Sequence, residues 1–518
     1  MYKTFTRALM GSAIVLLAGG VASAATSATP KLIAQASPSP KPSVSAPAFT
    51  YSGFLRSYYF TRTNGPGRIN QAAFNTAVNL HGQLDLGSGF AVGATYLYAN
   101  PFNNCDDPAS HITAGNCKTK TFNALAIPQP VAYDDTLPAY RLSTMYEGYL
   151  QYKNPAATVW VGQRVINTPW ANASDSRLKP VSFRGGDALF NLDKSWQIEA
   201  GDYISWEDRV QSDFVKSTLI TQNGSYPDAG GQGTTGIPSK SWVDNNGFLY
   251  GRLGYASGPL SANGYLYAFN NIANALWFDA KYSWKAYAKP FIAFQGGTES
   301  NTGTALAGKI NSQVFGVQLG ATPWKNVDLT LGFNDIPQKS DNITLPTGVK
   351  CGTNHLISGT GPASPLSYFL PAGGTPNCFS STPGISGGPA TVYYGGWASP
   401  YTDSYATDQL FTTTISQGMA DRRSAGSGVK VGSTINLDQK QVRIILAHAW
   451  YQYGNNVTGY APTQETNIDG TYFFSKVPAK GAYHGFSIRH RYAERDTFPA
   501  FGGLPVFKYN RTQLEFDF

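Results

Sequence analysis

From Phe49 to the C-terminus the chain alternates apolar and polar residues over stretches of 10 to 14 residues, each broken by turn residues. A period of two puts successive side chains on opposite faces of a strand. In Gln441–Tyr453, Val442, Ile444, Leu446 and Trp450 share one face, while Gln441, Arg443, Ala447 and Ala449 share the other. No segment beyond the N-terminus approaches the ~18 continuous apolar residues of a membrane helix. Yet charged residues make up only 14% of the chain, against about 25% in soluble proteins. Such a chain has one way left to cross a bilayer: a closed barrel whose neighbouring strands satisfy each other's backbone groups. The sequence reads as all-β, a transmembrane antiparallel β-barrel.

Candidate strands fall near 48–62, 70–86, 89–100, 141–154, 157–167, 181–192, 195–208, 241–256, 260–271, 275–284, 288–297, 311–323, 326–335, 427–438, 441–453, 467–475, 482–493 and 506–518. That makes eighteen, an even number as bacterial barrels require. Connections alternate between short turns, such as Gly87-Ser88 and Asn154-Pro155, and mostly long loops, of which 101–140, 209–240 and 336–426 are the longest. Short periplasmic turns on one rim and long extracellular loops on the other are the outer-membrane pattern. The last strand carries Leu514, Phe516 and Phe518 on one face, and a terminal Phe resembles the signal read by barrel-assembly machinery. Aromatics at strand ends, among them Tyr96, Trp284, Trp324 and Trp450, read as interfacial girdles.

Residues 1–24 read as a signal peptide: Lys3 and Arg7, an apolar run from Ala8 to Val21, then Ala22-Ser23-Ala24. Residues 25–47 are rich in Ala, Ser and Pro and read as a disordered lead-in. The barrel is expected over 48–518, in the bacterial outer membrane. Cys105 with Cys117 and Cys351 with Cys378 each lie within one loop, and two local disulfides are expected in an oxidising compartment. Other connectivities stay open.

The formal charge of +8 comes without a run of five Lys or Arg, so nucleic-acid binding has no footprint. Gly384-Ile385-Ser386-Gly387-Gly388 mimics a nucleophile elbow but sits in a Pro/Gly-rich loop without strand and helix around it. Gly303–Lys309 mimics a phosphate loop, yet Ile310 stands where the magnesium-binding Ser or Thr belongs. No catalytic residue, metal site or cofactor is expected.

Strand parity places Arg56, Arg164, Arg252, Arg443, Arg489, Arg491 and Arg511 on lumen faces. An Arg facing lipid at the midplane costs about 2–4 kcal/mol, which favours the wet side. Barrel closure sets Arg489, Arg491, Arg511 and Arg56 on three neighbouring staves, where they form a basic track for carboxylates. The alternative is that they pair with Glu147, Glu199, Glu515 and Asp517 and hold the lumen together.

One loop reads Gly162-Gln163-Arg164, Thr168-Pro169, Asp175-Ser176-Arg177-Leu178-Lys179-Pro180 and Phe183-Arg184-Gly185-Gly186. Another reads Tyr394-Gly395-Gly396, Ser399-Pro400-Tyr401-Thr402-Asp403 and Asp408-Gln409-Leu410-Phe411-Thr412-Thr413. Together these resemble the third and seventh loops of the OprD-type porin family. The resemblance implies an 18-stranded channel, monomeric or within a homotrimer, constricted by those two loops and passing small carboxylate-bearing nutrients along an arginine ladder. Carried onto this chain it places Arg177, Lys179 and Arg184 on the basic side of an eyelet, with Tyr401 on the seventh loop beside it. Asp175, Asp403 and Asp408 offer acidic or hydrogen-bonding contacts. The Pro/Ser lead-in and the four loop cysteines depart from the family pattern.

The expectation is passive diffusion of small polar or anionic solutes, with outer-membrane lipids and the assembly machinery as further partners. An adhesin or receptor barrel using its long loops is the binding alternative. A barrel-embedded hydrolase would need a nucleophile near His448 or His484, and a plug-gated transporter would need a domain before Phe49.

Overall fold

The computed structural model describes residues 48–64, 70–102, 131–133, 137–138, 141–174, 177–221, 242–351, 357–358, 368–369, 377–380, 387–402, 408–415, 423–454, 462–478, 482–497 and 505–518. The expected segments 1–24 and 25–47, with Cys105, Cys117, Asp175 and Asp403, lie outside the described residues.

Eighteen strands build a closed barrel. They are β1 (Ala48–Asn64), β2 (Asn70–Gly87), β3 (Phe90–Pro101), β4 (Leu142–Lys153), β5 (Ala157–Arg164) and β6 (Ser182–Asn191). Next come β7 (Trp196–Glu207), β8 (Phe248–Ser257), β9 (Leu260–Phe269), β10 (Ala273–Ser283), β11 (Phe291–Asn301) and β12 (Asn311–Trp324). The set ends with β13 (Val327–Ile336), β14 (Gly426–Leu437), β15 (Val442–Tyr453), β16 (Thr463–Phe473), β17 (Gly485–Thr497) and β18 (Pro505–Asp517). Each pairs antiparallel with the next, and β18 returns to β1 with Phe54 opposite Asp517 and Arg62 opposite Tyr509. A short strand, Val131–Tyr133, adds in parallel to the start of β2.

All eighteen expected segments fall on these strands, with shifted ends. The expected 157–167 stops at Arg164 because the Val165 N–H turns away to donate to Glu147 Oε1 at 3.0 Å. The expected 467–475 and 482–493 extend to Thr463 and Thr497, where Glu465 faces Arg495 across the ladder. These two charges interrupt the apolar alternation without interrupting the strands, because they point into the lumen.

Leu266, Leu276, Phe278, Phe294, Phe315, Leu319 and Leu331 point outward and are exposed. At the short-turn rim, aromatic pairs recur around the barrel: Phe90 with Tyr152, Trp196 with Tyr255, Tyr282 with Trp284, Tyr472 with Phe474 and Phe486 with Phe516, all with ring centres 4.6–5.0 Å apart. Apolar walls bounded by such rings suit hydrocarbon flanked by headgroups.

Outside the barrel mouth, Lys339–Leu345, Gly388–Tyr394 and Asn377–Ser380 form a small three-stranded sheet over its own core of Leu345, Tyr368, Val392 and Tyr394. Lys309 ties it to the loop after β11 through an ion pair with Asp341 at 2.5 Å. Among the described residues there is no disulfide; for Cys351, which ends one short strand, and Cys378, within another, only the backbone is described.

The seam closes on the last residue. Phe518 N donates to Gly53 O and Gly53 N to Phe518 O, both at 3.0 Å. A Cβ on Gly53 would meet Asn79 O at 2.2 Å and the Phe518 ring at 2.9 Å. Gly53→Val is therefore expected to lose about 1–3 kcal/mol through overpacking at this closing contact. The check is the denaturant midpoint of the refolded barrel, with heat-modifiable gel mobility reporting closure.

Candidate functional site

Residues 165–174 and 177–181, between β5 and β6, turn into the lumen. Thr168 and Ala171 form a tight reversal, with Thr168 N donating to Ala171 O at 3.0 Å and Thr168 Oγ1 to the same oxygen at 2.9 Å. The turn drives Trp170, fully buried, against the far wall, where it packs edge-on to Trp277 at 5.0 Å. On the other side Arg177 stacks over the Phe60 ring at 4.8 Å, and its carbonyl accepts from Arg56 Nη1 at 2.5 Å. This loop crosses the lumen from β10 to β1.

The inner part of 337–425 meets it. Ala171 and Tyr401 form a parallel β-bridge, and Trp397 completes a three-indole cluster at 5.2 Å from Trp170 and 5.8 Å from Trp277. Each such contact adds about 0.5–1.5 kcal/mol beyond its buried area. Trp397 fits because Gly297 lies beneath it: a Cβ there would stand 2.8 Å from the indole. Ala398 N donates to the buried Glu299 Oε2 at 2.7 Å. Residues 208–221 and 242–247 join the same body, since Leu219 N donates to Pro400 O at 2.8 Å and Tyr401 hydroxyl to Asn245 Oδ1 at 2.5 Å.

Several expected eyelet residues serve otherwise. Lys179 is fully buried and pairs with the equally buried Glu207 at 2.9 Å. Burial holds its ammonium below the ordinary lysine range, while Glu207 pulls the other way. Asp408 is also buried, bonded to Arg423 Nη1 at 2.9 Å and to Leu410 N at 3.0 Å. Burial raises its carboxyl and the Arg423 guanidinium opposes the rise. Lys179 and Asp408 brace the loops instead of lining open water. Arg184 faces away from the lumen, opposite Gln163 on the face of the exposed Val161, and stacks over Phe214 at 4.4 Å. It sits on β6, whose pleat turns it outward.

The arginines divide between two walls. Arg489 Nε and Nη2 reach Asp469 at 2.8 and 2.6 Å, and Arg491 Nε reaches the same carboxylate at 2.8 Å. Arg511 stands directly opposite Arg491 and donates to Gln513 at 2.8 Å. Arg443 and Arg489 lie opposite Thr471 from its two sides, with β16 between them, and Arg56 pairs with Glu515. Buried Arg62 and Arg495 extend this column toward the long-loop rim, although parity reasoning had not singled them out. Arg164 and Arg252 stand on the opposite wall and there meet carboxylates: Arg164 with Asp187 at 3.4 Å, Arg252 with Glu199 at 3.2 Å. That wall also carries Glu147 and Asp279, so the two sides of the lumen differ in sign of excess charge. Its upper part is aromatic, with Tyr203, Tyr250, Tyr265, Tyr267 and Phe269 in near-parallel succession at 5.4–6.3 Å.

No family model and no curated protein matches the sequence. Solved structures do match. Pseudomonas aeruginosa OccK2 (OpdF), in complex with glucuronate, is 12% identical, with 90% of this chain and 97% of that chain covered and a TM-score of 0.59. Pseudomonas aeruginosa OpdK with vanillate gives 12%, 91%, 98% and 0.59 for the same quantities. Acinetobacter baumannii OccAB4 gives 13%, 91%, 98% and 0.60. The chain has the OprD-type porin fold.

Within this OprD-type fold the residues missed by sequence reasoning are the anchors: Glu207, Glu299, Arg423 and the three indoles. A usable signal was the tryptophan following each loop motif turn, Thr168-Pro169-Trp170 and Gly395-Gly396-Trp397. Removing Glu207 as Glu207→Gln takes from the buried Lys179 ammonium its directly paired carboxylate, leaving Asp208 as the acidic neighbour, and is expected to cost about 3–5 kcal/mol. The denaturant midpoint is expected to fall, and bilayer recordings to show larger, noisier single-channel current as the 165–181 loop loosens.

Proposed function

We propose that this chain is a porin of the bacterial outer membrane, passing small polar solutes by passive diffusion with a bias toward carboxylate-bearing or zwitterionic nutrients. The observation that carries the reading is the basic column. Two guanidiniums share the single Asp469 carboxylate, and a third arginine stands opposite Arg491. Several guanidiniums thus gather on one wall of the lumen, and Arg engages carboxylates through paired N–H bonds. The facing wall, with Asp187, Glu199 and Asp279, suits the ammonium end of a zwitterion. A charged cleft with low-dielectric walls focuses its field on a solute in transit.

Glucuronate and vanillate in the complexes of the structural neighbours are both small carboxylates. Export by the 1–24 signal peptide, insertion through the assembly machinery and a setting in outer-membrane lipid belong to the same reading.

Arg489→Glu combined with Arg491→Glu is expected to turn an anion preference into a cation preference. Reversal potentials in planar bilayers under a potassium chloride gradient measure it, and liposome swelling with sugars against mono- and dicarboxylates measures the solute bias. A purified barrel without ion conductance would overturn the proposal.

A further inference from the structure

The lysines divide by rim. On the long-loop side they are engaged: Lys309 with Asp341, Lys508 with Glu494 at 2.6 Å, Lys339 with Gln313 Oε1 at 3.0 Å and Lys216 with Asn246 Oδ1 at 3.5 Å. The short-turn rim is the reverse. Lys153 ends β4, and Lys194, Lys285, Lys325, Lys440 and Lys476 lie in the turns after β6, β10, β12, β14 and β16. Lys289 is a second lysine on the turn after β10. All of these lysines are exposed, and among the described residues none of their ammonium groups has an ion pair, a side-chain hydrogen bond or a ring contact. Away from the seam between β18 and β1, the acids of this rim serve its turns. Asp193 Oδ1 accepts from Ser195 N at 2.6 Å and Trp196 N at 2.8 Å, Asp85 Oδ1 from Gly87 N at 2.8 Å, and Asp328 Oδ1 from Thr322 Oγ1 at 2.6 Å. Asp438 is the exception. The rim is left with uncommitted positive charge around most of its circumference.

Its depth follows from the aromatic girdle. Lys153, Lys285 and Lys325 come directly after Tyr152, Trp284 and Trp324, while Lys194 stands two residues before Trp196 and Lys476 two after Phe474. A rise of about 3.3 Å per residue at a tilt of about 40° advances roughly 2.5 Å in depth per residue. These lysines therefore leave the backbone roughly 2.5–5 Å on the water side of rings that mark the hydrocarbon boundary. A lysine stem lies along apolar surface and carries its ammonium to the polar layer. That layer holds the phosphates of the lipid headgroups.

We infer that the short-turn rim is a collar that gathers anionic phospholipid, through its phosphodiester headgroups, in the leaflet facing the periplasm. Lysine suits such a partner. Its ammonium meets phosphate as a point charge without a fixed fork geometry, so it serves headgroups that exchange and rotate. Each basic residue close to an anionic lipid surface strengthens the attraction about fivefold. Lipid held in this way fixes the height of the barrel in the membrane, as interfacial anchors do.

The test uses the full chain folded into vesicles that mix phosphatidylethanolamine with phosphatidylglycerol, with a spin label on one lipid or the other to report the shell immobilised against the barrel. Wild type is expected to hold phosphatidylglycerol several-fold over phosphatidylethanolamine. Most of that preference is expected to vanish at about 1 M salt, where screening shortens to about 3 Å. Lys153→Gln, Lys194→Gln, Lys285→Gln, Lys325→Gln, Lys440→Gln and Lys476→Gln combined are expected to bring the two lipids close to parity, and Arg at the same positions to keep the preference. Heat-modifiable gel mobility shows that each variant is a folded barrel. The readout is lipid and not current, so a barrel without ion conductance leaves this inference standing while it ends the channel reading. Parity of the two lipids around wild type overturns the inference, as does a preference that survives the Gln set. So does wild type that shows lipid parity yet co-sediments with cell-wall sacculi in a manner lost in the Gln set, since the collar would then hold peptidoglycan.

Discussion

Every backbone N–H and C=O inside hydrocarbon needs a partner from the chain itself, and the register between β18 and β1 supplies the last of them. Water cannot stand in at depth, so a barrel with one open seam would leave a whole edge unsatisfied. From that requirement the rest follows: antiparallel neighbours, strict alternation of faces, aromatic pairs at the rim, and a Gly53 stripped of its side chain so that Phe518 can complete the ladder. Closure also creates the lumen, because a residue denied to lipid by the pleat is delivered to water.

The lumen is then narrowed by chain that leaves the wall. Segments from 165–181, 208–247 and 337–425 meet each other through backbone bonds at Ala171, Leu219 and Pro400 as well as through side chains. They rest on the aromatic wall of β7–β10, where Tyr203, Phe248 and Trp277 are buried beneath Trp170, Trp397 and Tyr401. The arginine wall is left facing them. Which wall the loops lean on decides which charges remain facing the lumen.

Strand number and position were legible from sequence because period two is a local property, visible residue by residue in stretches such as Gln441–Tyr453. Parity also gave in against out for the arginines, and the order of strands placed Arg489, Arg491, Arg511 and Arg56 on adjacent staves. Parity says nothing of position around the barrel for partners that come from loops. Lys179 was expected on the basic side of an eyelet and is buried against Glu207, because its environment depends on how the chain between β5 and β6 crosses the lumen. Asp408 met Arg423 for the same reason. Arg184 was placed on the basic side of an eyelet, whereas it lies on the strand Ser182–Asn191, within the expected 181–192, and the pleat sends it outward. Arg62 and Arg495 escaped notice because each sits near a strand end, where alternation fades into turn residues.

The indole cluster of Trp170, Trp277 and Trp397 gives the protein an optical signature of its own. Three rings at 5.0–5.8 Å, fully buried and drawn from two loops and one strand, form a chirally fixed chromophore. Near-ultraviolet circular dichroism senses such fixed aromatic packing independently of the sheet signal in the far ultraviolet. Unseating of the constriction is thereby readable as a change in that signal against the constant contribution of the wall's own aromatic pairs.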